Sequence, residues 1–80
     1  MREIVPMPVA AIKIDRWPHG PRALEYANLL ITGVELPPIK VHFRDGHWRV
    51  GDGRHRLLAH KLVGKDIIMV RRAVRERRNG

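Results

Sequence analysis

The chain has 80 residues, 44% of them apolar, no cysteine, and 16 Lys and Arg against 8 Asp and Glu, for a net charge of +8. This length makes one domain near the lower limit for a self-sufficient core, and the missing thiols exclude disulfides, thiolate nucleophiles and cysteine redox chemistry. No apolar run is long enough to span a bilayer and the start lacks a signal-peptide core, so a soluble cytoplasmic protein without a membrane partner is expected, and its charge favours anionic partners, nucleic acid above all.

Along residues 2–14, Ile4, Val5, Met7, Val9, Ile12 and Ile14 alternate only loosely with polar positions. Pro6 and Pro8 lack backbone donors, which suits an edge strand or an extended lead-in and leaves residues 11–15 as the better strand. Two prolines and a glycine punctuate residues 16–22, a loop whose Pro21 fits the first turn of a helix. Leu24, Ala27, Leu30 and Ile31 recur at helical spacing over residues 23–32, and Gly33 supplies the stop. Ile39, Val41 and Phe43 share one strand face, as do Trp48 and Val50, and Asp45-Gly46 between them is a hairpin turn. A second helix is predicted from about Arg54 to Val63, ending at Gly64, and Ile67, Ile68, Met69 and Val70 fit a buried last strand. The order is β-α-β-β-α-β, an α+β fold with a small mixed sheet and two main helices. Residues 1–72 form the predicted domain and residues 73–80 a basic tail.

The most informative stretch is Gly53, Arg54, His55, Arg56, directly after the hairpin and directly before the apolar run of the second helix. A helix start leaves backbone N–H groups unpaired and carries partial positive charge, so it holds anions. Guanidinium groups there point to a phosphate, from a nucleotide or a nucleic acid. Gly53 permits close backbone approach or a positive φ; a plain strand-to-helix turn explains it as well.

The order of elements, with residues 33–41 (Gly-Val-Glu-Leu-Pro-Pro-Ile-Lys-Val) and 53–59 (Gly-Arg-His-Arg-Leu-Leu-Ala), resembles the ParB/sulfiredoxin-like superfamily. Members show a helix, a glycine and a Pro-Ile-x-Val passage, then a hairpin and a Gly-x-x-Arg helix start with alanine three residues later; Gly53, Arg56 and Ala59 occupy those places. The loop Trp17-Pro18-His19-Gly20-Pro21-Arg22 is similar to the Pro-x-x-Pro-Arg loop of partition proteins, and the resemblance covers roughly residues 9–72. It implies the fold and a phosphate-binding helix start. Sulfiredoxins carry Gly-Cys-His-Arg and act through that cysteine; Arg54 stands in its place, which rules their reaction out. Partition proteins carry Gly-Glu-Arg-Arg, bind CTP, and continue into a second phosphate motif and a helix-turn-helix domain. The 80 residues hold neither, so a full CTP-gated DNA clamp is not expected. Other relatives are nucleases, ATPases or ADP-dependent kinases.

The expected phosphate or nucleotide site is therefore Gly53, Arg54, His55 and Arg56, closed by Arg22, whose role rests on the resemblance. Arg56 is the first choice for the phosphate contact; pairing with Asp52, or a place on the surface, is its alternative. His55 is a candidate proton donor or general acid–base. Asp52 is a candidate carboxylate for a Mg2+ ion arriving with a nucleotide, although a helix N-terminal charge or an arginine partner is its preferred reading. Glu35 is a second candidate on the resemblance, because kinase-like relatives carry acidic residues near the site. The histidines sit on separate elements, and His55 and His60 are five apart, off the spacing of a two-histidine zinc motif. Trp48 reads as core, Trp17 as core or a stacking platform, and Tyr26 and Phe43 as structural. Arg71, Arg72, Arg75, Arg77 and Arg78 form a candidate nucleic-acid-binding run or a solvated tail. The leading expectation is a DNA-associated module that binds nucleic acid or nucleotide phosphate. The alternatives are a small nuclease, NTPase or phosphotransferase of the same fold, and an adaptor without ligand; edge strands and a thin core make a homodimer reasonable.

Overall fold

The computed structural model describes residues 2–18 and 21–73. The elements run β1 (Arg2–Pro8), a 3-10 turn (Val9–Ala11), β2 (Ile12–Lys13), α1 (Pro21–Ile31), β3 (Ile39–Arg44), β4 (His47–Asp52), α2 (Arg54–Leu62) and β5 (Ile67–Ala73). One mixed sheet has the order β1-β5-β3-β4-β2. Strand β5 pairs antiparallel with β1 and parallel with β3, while β4 pairs antiparallel with β3 and parallel with β2. The fold is the expected α+β arrangement of a small mixed sheet and two helices.

The N-terminal strand region divides in two, and the longer part is the one that carries the prolines. Pro6 stands opposite Met69 and Pro8 opposite Ile67 at the edge of the sheet. Being two apart, they turn their donorless nitrogens to the same side of the strand. On an edge strand that side needs no partner, so the ladder to β5 continues past both. Residues 11–15 supply only the short β2, and Asp15 just beyond it pairs with Arg49 of β4.

The hairpin forms where its turn residues demand. Asp45 (φ 53°) and Gly46 (φ 79°) are both left-handed, the two-residue turn whose twist matches its strands. Both helices close with paired backbone bonds from the two residues that follow. In α1 the Gly33 N–H donates to Leu30 and the Val34 N–H to Leu29; in α2 the Gly64 N–H donates to Lys61 and the Lys65 N–H to His60. This is the Schellman pattern that glycine stops predict.

Met7, Ile39, Val41, Ile68 and Val70 turn to one face of the sheet, where Leu57 of α2 packs on them. Ile39, Leu57 and Val70 are fully buried. Helix α1 packs on α2 through Ala27, Leu30 and Ala59, with Tyr26, Leu36 and Val63 at the margin. Small side chains at Ala27 and Ala59 let the helices approach. Two helices do not cover the whole sheet. Phe43, on the same strand face as Ile39 and Val41, is 61% exposed, against the expectation of a structural core ring. The last strand buries Ile68 and Val70 but leaves Ile67 and Met69 exposed, so it is covered on one face only.

Candidate functional site

The turn into α2 is set by Gly53, which caps the helix in a left-handed conformation (φ 108°). Its carbonyl accepts from the Leu57 N–H at 3.0 Å, the first bond of the helix. The N–H groups of Arg54, His55 and Arg56 precede that bond, and no side chain caps the helix. These donors border a cavity of about 320 Å³ lined by Arg22, Tyr26, the segment 51–53, Arg54, His55 and Arg56. The fold thus brings all five predicted phosphate-site residues, Arg22, Gly53, Arg54, His55 and Arg56, around one space.

Their freedom to meet a ligand differs. Arg56, the first choice from sequence, is 15% exposed, and its guanidinium is already engaged. Nη1 donates to the carbonyl oxygens of Pro37 at 2.9 Å and Pro38 at 3.1 Å, and Nη2 lies 3.7 Å from the Asp52 carboxylate. Arg56 therefore fastens the 33–38 loop to the helix start. The Asp52 contact matters less, because that carboxylate is exposed and water screens the pair. Arg54 and Arg22 are exposed; Arg54 makes one long bond, 3.4 Å, to the Arg16 carbonyl. Tyr26 follows Arg22 by one helical turn and shares its face, a signal that sequence reasoning passed over.

Other candidates fall elsewhere. Glu35 lines a different cavity, of about 650 Å³, beside Leu30, Leu36, His60 and Lys65. Among the described residues no group of three His, Asp or Glu comes together as a metal-holding set. Trp17 is 46% exposed and carries the Lys61 ammonium 5.1 Å from its ring centre, so the loop before α1 rests on the outer face of α2. Trp48 is half-buried against the core. Arg71 and Arg72 belong to β5, not to a tail, whereas Arg75, Arg77, Arg78 and His19 lie outside the described residues.

His60 is the buried polar residue of α2. Its Nδ1 lies 2.7 Å from the Arg56 carbonyl oxygen and donates to it. Burial lowers the histidine pKa below 6.5; that hydrogen bond opposes the shift and the nearby Lys65 charge adds to it. The folded state then binds fewer protons than the unfolded chain, so stability is full above about 6.5 and declines as pH falls from there toward the folded value. Unfolding titrations across that range should show the decline, and His60→Gln should flatten it. An unchanged slope in the variant would place the effect on other groups.

No family model matches the chain, and no curated protein matches its sequence. Solved structures do. The sulfiredoxin of Arabidopsis thaliana superposes with a TM-score of 0.75 at 24% identity, over 89% of this chain and 84% of that one. C-terminally truncated SbnI of Staphylococcus aureus gives 0.74 at 22% identity, over 89% of this chain and 30% of that one. The C-terminally truncated chromosome-partitioning protein ParB of Caulobacter crescentus, in complex with CTP-gamma-S, gives 0.67 at 19% identity, over 96% and 46%. The fold is ParB/sulfiredoxin-like. The chain spans most of the sulfiredoxin, about a third of the SbnI chain and about half of the ParB chain.

Proposed function

We propose that this ParB-like domain binds the phosphate of a nucleotide or a nucleic acid, DNA in the first place, at the start of α2. The observation that carries the reading is the uncapped helix start of Arg54, His55 and Arg56, opening on the same cavity as the exposed guanidiniums of Arg22 and Arg54. Helix-start donors, the helix dipole and two exposed cations act on one anion there. The nucleotide complex of the ParB neighbour supports a nucleotide as one form of the ligand. The absence of cysteine removes sulfiredoxin chemistry from this fold member. Binding in place of catalysis is the reading adopted, with His55 as a further hydrogen-bond donor to the phosphate.

The test is a thermal-shift screen of CTP, ATP, ADP, GTP, inorganic phosphate and short DNA, with and without magnesium. The variants are Arg22→Ala, Arg54→Ala and the pair, chosen because both side chains are exposed and their loss leaves the core intact. A charged hydrogen bond contributes about 1.5–3 kcal/mol, so each single change should weaken binding about tenfold or more and the pair should abolish the shift. Wild-type binding by the double variant would overturn the reading.

A further inference from the structure

The ladder between the central strand β3 and its neighbour β5 is short, pairing Ile39 with Val70 and Lys40 with Arg71, and ends there. A cleft of about 410 Å³ is lined by Val41, His42, Phe43, Trp48 and Ala73. The rings of Phe43 and Trp48 meet edge to face, with centroids 5.2 Å apart and planes at 68°. Such a contact covers one ring face only, and the Phe43 ring stays open to solvent. The Arg72 guanidinium lies 5.7 Å from the Trp48 ring centre, held there by Nε and Nη2 contacts of 2.7 Å to the Glu3 carboxylate.

An exposed aromatic ring with a cation beside it matches one ligand chemistry. Bases of any sequence stack on aromatic rings, and the phosphates beside them meet arginines. We propose that the β3–β4–β5 cleft is a binding site for single-stranded nucleic acid, with a base stacked on Phe43 beside Trp48 and the flanking phosphate on Arg72. The +8 charge of the chain supplies the long-range attraction. The cleft is distinct from the helix-start cavity but next to it. His42 lines the cleft, and its Nδ1 lies 3.4 Å from where a Cβ on Gly51 would stand, while Gly51 lines the cavity. A strand leaving one reaches the other across His42.

The experiment uses a Trp17→Phe chain, so that Trp48 is the sole tryptophan reporter. It is titrated with a short oligothymidylate and with an abasic oligomer of equal phosphate number, reading Trp48 emission and the anisotropy of the labelled oligomer. Oligothymidylate should quench Trp48 and bind at least about fivefold more tightly than the abasic chain, because stacking contributes about 1–3 kcal/mol per base. Phe43→Ala should cost the base-dependent part of that affinity, and Phe43→Tyr should restore it, which separates stacking from a disturbed hairpin. Equal binding of the abasic oligomer, unmoved Trp48 emission, or no binding at all would overturn the proposal. An Arg22→Ala, Arg54→Ala background keeps the two sites apart: base-dependent quenching should persist there whether or not the nucleotide shift is lost.

Discussion

Replacing Gly53 by alanine should remove a large share of the protein's stability. A Cβ at this position would stand 2.5 Å from Cγ2 and 2.9 Å from Cβ of Ile39, a residue with no exposed surface. Neither can retreat: Ile39 is bedded in the sheet beside Val70, and Gly53 anchors the first turn of α2. The φ of 108° adds backbone strain that any side chain would meet. Left-handed strain of about 1–2 kcal/mol and overpacking of about 1–3 kcal/mol act together against the roughly 4–12 kcal/mol that holds a domain of this size. Thermal unfolding followed by circular dichroism should show a fall in Tm of about 10 °C or more. A Tm within a few degrees of wild type would show that the β4–α2 turn has room the structure denies. The glycine is thus required by packing before any ligand is considered.

Arg56→Ala should be the second costly change, and its cost should appear without a ligand. Two carbonyl oxygens, of Pro37 and Pro38, lose their shared donor, and the 33–38 loop loses its tie to α2. Charge-assisted bonds of this kind and the acceptors left behind amount to about 2–4 kcal/mol. Arg56→Lys should recover only part of it, because a single ammonium does not reproduce the guanidinium fork that reaches both carbonyls and Asp52. Urea unfolding of the ligand-free protein reads the loss directly. Unchanged stability with lost phosphate binding would instead assign the side chain to the ligand. For the same reason Arg22 and Arg54 serve better than Arg56 as probes of the cavity.

Local chemistry was legible in the sequence, and long-range chemistry was not. Asp45-Gly46 and the two glycine stops announced the hairpin and both helix ends because each depends on residues a few positions away. Gly53 was legible as a special backbone position, but its reason lies in the Ile39 side chain, fourteen positions earlier, which no local pattern reveals. Arg56 was legible as a helix-start cation, whereas its partners are backbone carbonyls, and backbone carries no sequence signal. Arg22 came to the cavity through family resemblance, since nothing in its own neighbourhood points across to α2. Phe43 had the parity of a core residue. Parity assigns a face and says nothing of whether a helix covers it, and two short helices leave this corner bare. Pro6 and Pro8 point to an edge strand, but nothing about two donorless residues shows that this edge carries the longest ladder in the sheet.

That ladder joins Arg2 to Ala73, so the first and last described strands lie side by side. Its formation closes a loop of roughly 70 residues, which costs about 4 kcal/mol of chain entropy before any contact rewards it. The β3–β4 hairpin and the α1–α2 pair close far shorter loops, so loop-closure entropy favours their forming before β1 pairs with β5. The same adjacency sets Arg2 beside Ala73, so a peptide joining these two residues would bridge neighbouring strands without stretching them, and a cut in the Asp45-Gly46 turn would then leave the β1–β5 seam covalently closed.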